Sequence, residues 1–394
     1  MPRRTADVVV VGGGCMGVST AYHLARCGAR HVVLLEREPQ LGAGSTGRNA
    51  GGFRHQFSNE ANIRLSIESI RVFEGFREQF GVEIDLHQDG YLFLLSSEEA
   101  VGAFRASVAL QRRFGVDVQW LDPREAAGLV PGLELDGVLA ATYCAADGIA
   151  DPNGVTMGMA AAARAAGVEI RTGTEVVDLG LERGRITSVV TAHGAIATPA
   201  VVNAAGPWAA RIGRMANVAL PVEPLRRHIF LAQPAGGGSW DAPALSGRVP
   251  SSRIMVIDVA TSFYFHREGG RLLFGMGDAA ERPGFDTSVN WDFLPQVVDV
   301  ATHRLPVLAD AEVSHAWAGL YEMTPDAMPI IGAVPERRGF HVVAGFSGHG
   351  FQHSPAAGRV LADLLTGRDP GCDVSPFAYE RFAGRSVEGE RHVV

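Results

Sequence analysis

Residues Gly12-Gly13-Gly14-Cys15-Met16-Gly17 set glycines at G-x-G-x-x-G spacing directly after four valines, Val8 to Val11, and directly before a helix-forming stretch. Four β-branched residues with no polar face suit a parallel strand buried on both sides. Each glycine has a task in the turn: Gly12 allows the tight reversal, Gly14 lets an anion approach the backbone, and Gly17 lets helix and strand pack closely. Met16 to Ala29 reads as the helix and His31 to Glu36 as a second buried strand, completing a strand–helix–strand unit. Glu36 closes that strand 19 residues after Gly17, where an acid accepts hydrogen bonds from an adenosine ribose. Strand, helix and acid in register distinguish a dinucleotide-binding unit from an ordinary glycine-rich turn. Cys15 reads as a small residue within it.

Composition narrows the chemistry such a chain can host. With 46% hydrophobic and 20% charged residues over 394 positions, it fits a globular enzyme of two or three domains, at roughly 150 residues each. Asp and Glu number 43 against 35 basic residues; the net charge of −8 repels a phosphate backbone, so no nucleic-acid partner is expected. All 35 basic residues are arginine. A chain without lysine forms no lysine Schiff base, supplies no Walker lysine and cannot activate oxygen with one. Cys15, Cys27, Cys144 and Cys372 are dispersed without metal-ligand or redox spacing. Neither a metal site nor a disulfide framework is expected, and a reducing, cytoplasmic setting fits. No apolar run approaches the roughly 20 residues of a membrane span. The opening from Met1 to Arg4 and its valines run straight into glycines, which reads as a strand and turn and not as a signal peptide.

Farther along, Ile63, Ile67, Ile70, Phe73, Phe76 and Phe80 fall three or four apart, so residues 60 to 80 read as one amphipathic helix with a core-facing aromatic stripe. The middle reads as β-rich, with strands at Tyr91 to Leu95, Val116 to Trp120 and Val138 to Tyr143. Asp151 caps a helix with Pro152 at its first position. Strands follow at Val168 to Arg171, Glu175 to Leu179, Ile186 to Thr191 and Ala197 to Asn203, and from 225 to 322 the pattern is again mostly strands. Gly339 to Gly345 reads as a buried strand feeding a second glycine-rich turn. A last helix spans about 355 to 366, with Ser354 as cap and Pro355 in its first turn.

Two long motifs carry a resemblance. Gly42-Ala43-Gly44-Ser45-Thr46-Gly47-Arg48-Asn49-Ala50-Gly51-Gly52-Phe53-Arg54 resembles the flavin-contacting loop of the D-amino acid oxidase superfamily, in its sarcosine oxidase, glycine oxidase and dimethylglycine dehydrogenase branch. Trp317-Ala318-Gly319-Leu320-Tyr321-Glu322-Met323-Thr324-Pro325-Asp326, followed by Gly345-Phe346-Ser347-Gly348-His349-Gly350-Phe351, is similar to the second signature of that branch. The resemblance spans the chain and implies FAD. It implies an α/β plus α+β fold in which a Rossmann-like FAD-binding domain of the glutathione-reductase type, residues 1–81, 149–222 and 319–394, is interleaved with a β-sheet-rich substrate domain, residues 82–148 and 223–318. Cofactor contacts are then expected from Gly12, Gly14, Met16, Gly17, Glu36 and Arg37, and from Ser45, Thr46, Arg48, Asn49, Ala50, Gly51 and Gly52. Val176, Gly206, Trp208, Gly319, Gly348, His349, Gly350, Phe351 and Gln352 complete the expected set.

The second glycine turn also has a chemical reason of its own. A flavin that accepts a hydride at N5 becomes electron-rich around N1 and C2=O, and a helix N-terminus aimed there stabilises that charge. Residues 347 to 355 offer bare glycines and then a helix start, and His349 between two glycines has no packing role. Arg54 stands where the family places the arginine for the substrate carboxylate, a group its planar fork matches. Tyr321 matches a tyrosine lining the family's active site, and Tyr264 and His353 join it as catalytic candidates, whereas His228 and His266 read as structural.

Departures from the family matter as much. The cysteine that attaches flavin covalently in monomeric sarcosine oxidase corresponds to Gly319, and the histidine that does so in dimethylglycine dehydrogenase corresponds to Arg48. The histidine that carries an extra FMN in heterotetrameric sarcosine oxidase falls at Pro152. Noncovalent FAD is the expectation. The oxygen-activating lysine corresponds to Leu273, and a second carboxylate-binding lysine to Gln352. The resemblance therefore implies oxidation of the carbon–nitrogen bond of an amino acid or N-alkyl amino acid by hydride transfer to flavin N5, giving an imine that hydrolyses, with oxygen or another acceptor taking the electrons. A flavoprotein subunit or assembly factor relaying electrons to a protein partner is the alternative, and a homo-oligomer is compatible with either. A nicotinamide-dependent dehydrogenase would rest on the glycine fingerprint alone.

Overall fold

Val8–Val11 alternates between two cores: Val8 and Val10 face one, Val9 and Val11 the other, and all four are buried. This explains four consecutive apolar residues in a strand. In the computed structural model, which describes residues 4–242, 245–384 and 389–392, the strand lies inside a six-stranded sheet. The sheet order is Ile330–Ala333, Phe340–Ala344, Val201–Asn203, Val8–Val11, Val32–Leu35 and Glu169–Arg171. All its pairings are parallel except the edge pair of Ile330–Ala333 with Phe340–Ala344. Helices Cys15–Arg26, Pro152–Ala165 and Gly350–Thr366 cover one face. A three-stranded antiparallel sheet, Val176–Glu182, Arg185–Thr191 and Gly194–Ala197, and the helix Ala209–Met215 cover the other. Met1 to Arg3, part of the opening segment read above, lie outside the described residues.

An eight-stranded sheet stands beside this layered unit. Its order is Ala311–Met323, Glu223–Pro234, Arg271–Met276, Phe263–Glu268, Met255–Asp258, Tyr91–Leu95, Ala140–Cys144 and Gln119–Leu121. One face packs under the helix Leu294–Arg304 through Leu92, Leu94, Val256, Phe265 and Phe274. Tyr91, Met255, Ile257 and Tyr264 on the opposite face turn toward the site described below. The long strand Ala311–Met323 runs alongside Glu223–Pro234 for nearly its whole length and delivers the second family-like motif to that face.

Several elements differ from the reading by pattern. The amphipathic stretch 60–80 is two helices, Glu60–Glu74 and Phe76–Phe80, parted at Gly75. Helices Glu98–Arg113, Pro123–Leu129 and Leu294–Arg304 interrupt stretches read as strands. Ser97 caps the first through the Ala100 amide, and Asp122 with Glu125 forms a capping box for the second. The last helix begins at Gly350, five residues earlier than expected, and Ser354 is not its cap. Ser354 Oγ instead donates to Phe351 O at 2.8 Å, the carbonyl that Pro355, lacking an N–H, leaves without its helical partner. That substitution lets the helix run through a proline.

Candidate active site

Local backbone chemistry builds the floor of the site. A Cβ on Gly12 would lie 2.3 Å from Ala204 O, and one on Gly17 would lie 1.9 Å from Gly12 O, so strand and helix meet where only glycine fits. Gly14 at the cap of Cys15–Arg26 offers no side-chain cap, and the first turn of the helix holds no acidic residue. That N-terminus keeps its partial positive charge for an anion. Thr46 Oγ1 accepts the Cys15 amide at 3.1 Å, tying the loop of the first long motif to this turn. Glu36 accepts the Gly13 amide at 2.6 Å and the Glu38 amide at 2.8 Å, which fixes its carboxylate at the cavity wall. Arg37 lies over the Trp208 ring at 4.0 Å, and Trp208 stacks on Phe285.

The two long motifs are one object in space. Ser45 Oγ donates to Leu320 O at 2.6 Å, Arg48 to Ala318 O at 2.8 Å, and Trp317 Nε1 to Arg48 O at 3.0 Å. Asn49 bridges the loop from the Thr46 carbonyl to the Gly51 amide. Gly319 and Arg48 are direct neighbours, since a Cβ on Gly319 would stand 3.1 Å from Arg48 Cβ. Gly52 leaves room for Tyr91, whose hydroxyl would sit 1.7 Å from an added Cβ, and Gly348 does the same for the Tyr321 ring at 2.4 Å.

One cavity runs from the Gly12–Gly14 turn and Glu36, past Ser45, Thr46, Asn49 and Ala50, to the start of Gly350–Thr366. Met16, Arg37, Arg48, Val176, Gly206 and Trp208 line its first part; Gly52, Gly319, Gly348, His349, Phe351 and Gln352 line the second. Gly17 and Gly51 do not line it and act as supports: Gly51, at φ 74°, approaches Ala150 O too closely for any side chain. His353 is not brought to the cavity. Its Nε2 shares a hydrogen bond with Ser66 Oγ at 2.9 Å, and burial pulls its pKa down to about 3.

Arg54 lines the cavity and is 5% exposed. Its amide donates to Gln352 Oε1 at 2.6 Å, and its guanidinium donates to the backbone carbonyls of Gln56 and His392 while lying over Phe57. Among the described residues no carboxylate lies within ion-pair distance of it, although burial disfavours the charge and Glu390 supports it from farther away. Tyr91, Tyr264 and Tyr321 surround the same chamber, and burial pushes all three phenols above the ordinary tyrosine value, so they remain neutral donors. His349 has both ring nitrogens buried without partners, and burial drives its pKa well below the usual histidine value.

Among the lining residues that the sequence did not single out are Glu322, Arg227 and Tyr91. Glu322 has a buried Oε2 without a partner, and burial raises its pKa to about 7 against the opposing pull of backbone hydrogen bonds at Gly345 and Phe346. Its place in the second motif, next to Tyr321, was the available signal. Arg227 follows Arg226 in a strand, where alternation sends the two to opposite faces. Tyr91 opens a strand whose pairing is set only by the fold. The fold also gathers His55, Cys144 and Asp147, whose ligand atoms lie within 4.8 Å of one another. There the Asp147 carboxylate already accepts the His55 amide, His55 Nδ1 and Gln56 Nε2, which makes the cluster a hydrogen-bonded brace. His228 accepts the Asn290 amide and His266 bonds to Arg267 O, both as structural residues.

A dinucleotide-type turn feeds one continuous cavity between the two large sheets, an arrangement that suits an enzyme working on a nucleotide cofactor. The chain belongs to the DAO family, described as FAD dependent oxidoreductase, whose profile matches residues 7–364. It is 30% identical to glycine oxidase of Geobacillus kaustophilus (strain HTA426), over 96% of this chain and 98% of that protein. It is 30% identical to mitochondrial sarcosine dehydrogenase of Mus musculus over 96% of this chain but only 41% of that protein, so it spans about two fifths of that longer relative. Among solved structures, L-proline dehydrogenase from P. horikoshii superposes with a TM-score of 0.87 at 34% identity, covering 97% of this chain and 99% of that one. The protein is an FAD-dependent oxidoreductase, and no helix among the described residues is long and apolar enough to cross a membrane. Its residues fit the cofactor: the glycine cradle that a Cβ would fill and the uncapped helix at Gly14 suit a pyrophosphate, and the unpartnered nitrogens of His349 beside the second helix start can hydrogen-bond a flavin.

Proposed function

We propose that the enzyme oxidises the carbon–nitrogen bond of an amino acid or N-alkyl amino acid, giving an imine that hydrolyses in water. What supports this reading is the junction, in one cavity, of a dinucleotide-type turn with a chamber holding Tyr91, Tyr264 and Tyr321 and two arginines, Arg54 and Arg227, that have no carboxylate within ion-pair distance among the described residues. When bound, FAD supplies the two-electron acceptor. Gly12, Gly14, Glu36, Ser45, Thr46 and the Gly348–Gln352 turn would hold it. The bond to the protein is noncovalent in this reading, since the neighbours Gly319 and Arg48 offer no nucleophile.

Arg54 holds the α-carboxylate of the substrate and Tyr321 and Tyr264 orient it, so that the carbon beside the amine meets the reacting edge in a near-attack pose. The amine must be neutral to react. His349 is too weak a base to deprotonate it, so turnover rises with pH through the apparent amine pKa of the complex. Residues 1–81, 149–222 and 319–394 form the FAD-binding part and 82–148 and 223–318 the substrate part in this reading; the strands of the two large sheets follow that division except Ala311–Met323, which crosses the boundary at 319 and stays paired with Glu223–Pro234. Oxygen or another acceptor closes the cycle, and four free cysteines support a reducing, cytoplasmic setting.

Arg54→Met tests the carboxylate role. Losing a bidentate, charge-assisted pair is expected to raise KM for carboxylated substrates by about a hundredfold, with kcat changed far less and the flavin content of the purified protein preserved. Loss of flavin with KM unchanged would reassign Arg54 to the cofactor.

A further inference from the structure

Resting on the amine-oxidising reading above, we infer that the substrate carries a second carboxylate, and that Arg227 binds it while Arg54 binds the first. Arg227 lies in the strand Glu223–Pro234, opposite Gly319 in the neighbouring strand. The adjacent Arg226 is fully engaged, pairing with Glu281 at 2.9 Å and Asp286 at 2.6 Å. Arg227 faces the other way, into the cavity.

Its surroundings leave the charge uncompensated. Nη1 donates to the Arg226 carbonyl at 3.2 Å, and the guanidinium stands 5.2 Å from the centre of the Tyr321 ring. Nε is buried without a partner, and among the described residues no carboxylate lies within ion-pair distance. Glu322, the nearest acid in sequence among the cavity residues on the paired strand, does not serve as its counterion: its pKa is raised to about 7, and no nearby cation pulls it down. A half-buried guanidinium with an unsatisfied donor is costly unless a ligand completes it, and its planar fork fits a carboxylate.

Placement gives the second acid its position. Arg54 is deeply buried, whereas Arg227 is only partly so, and the Tyr321 phenol senses both guanidinium groups. The two cations therefore flank the tyrosine chamber, one inner and one outer. A neutral amino acid satisfies Arg54 alone. A dicarboxylic one satisfies both, with the reacting carbon–nitrogen bond between them. The outer carboxylate is carried either on the side chain or on a substituent of the nitrogen, and both present the same group to Arg227.

The test uses the FAD-loaded protein and reads ligand-induced changes in flavin absorbance, which need no turnover. Succinate and glutarate are compared with butyrate and valerate in the wild type, in Arg227→Met and in Arg227→Lys. The expected result is dicarboxylates about tenfold or more tighter than monocarboxylates in the wild type, the effect of one charge-assisted pair. The preference falls to near unity in R227M and is intermediate in R227K, with FAD content unchanged. Anaerobic bleaching by aspartate and glutamate against asparagine and glutamine, and by iminodiacetate against sarcosine, then distinguishes a side-chain acid from an N-linked one. No dicarboxylate preference, a preference that survives R227M, or loss of FAD from R227M would each overturn the assignment. Should R227M fail to fold, the wild-type preference and R227K decide it. Bleaching by neutral amino acids with no acidic preference sinks this inference alone, whereas bleaching by no amine at all sinks the amine-oxidising reading beneath it.

Discussion

Alanine at position 17 is expected to yield a protein that purifies without flavin. The added Cβ would sit 1.9 Å from Gly12 O and 3.4 Å from Ala204 Cβ. The first of these is backbone in a turn itself wedged against Ala204, so no flexible side chain can move aside. Helix Cys15–Arg26 must shift off the strand Val8–Val11, which opens the cradle where the helix terminus would receive the pyrophosphate. Overpacking of this kind costs about 1–3 kcal/mol or more in stability, and the loss of pre-organised amides weakens binding further. The ratio of flavin to protein absorbance after purification and dialysis against FAD reads the effect directly. Gly102→Ala is the matched control. Gly102 is exposed in the helix Glu98–Arg113 with open space around its Cβ, so alanine there should leave flavin content intact and add roughly 0.5–1 kcal/mol of stability. Full flavin occupancy in G17A would show that the turn tolerates displacement and that the cradle is not the binding determinant.

Acid lability is the second large expected effect. Burial depresses His23, His266, His341 and His392 to about 4 and His353 to about 3, and pushes His349 well below its usual value. A group with a depressed folded pKa is neutral in the fold but protonates in the unfolded chain below about 6.5, so the stability it contributes is present above that pH and lost as pH falls toward 4. At pH 5 each such histidine withdraws on the order of 2 kcal/mol, and several together rival the roughly 5–15 kcal/mol that holds a typical fold. Glu322 acts in the opposite sense. Its raised pKa, about 7, favours the fold at low pH and costs stability as pH rises from about 4.5 through 7. One carboxyl does not offset six imidazoles. The thermal midpoint should be level above pH 7 and fall steeply between about 6.5 and 4.5. A midpoint that stays flat to pH 4.5 would mean that these histidines reach water or a partner in solution.

What the sequence made legible was local. The strand Val8–Val11, the glycine turn and the second strand ending before Glu36 could be placed from pattern because each depends on residues within one strand–helix–strand unit. The caps at Asp151 and Pro152 were equally plain. The last helix was misplaced because Ser354 and Pro355 look like a start when read alone, whereas the Ser354 hydroxyl supplies the bond that the proline forfeits. The helix Glu98–Arg113 was missed despite Ser97, since a β-rich neighbourhood masked its cap. At the site, the two motifs could be read but not their contact with each other, which spans some 270 residues of chain. Arg54 was legible as a cation near glycines; its bond to the His392 carbonyl was not, because the partner is 338 residues away. Arg227 and Tyr91 carry no local signature at all, and strand pairing alone turns them inward.

The most direct test of amine oxidation at this site is an anaerobic titration of the flavin-loaded protein with glycine, sarcosine, N,N-dimethylglycine and both enantiomers of proline, aspartate and glutamate, followed by admission of air. At least one carboxylated amine is expected to bleach the flavin absorbance, its decarboxylated analogue is not, and colour returns when an acceptor is supplied. A yellow protein whose spectrum no amine changes would contradict amine oxidation at this site.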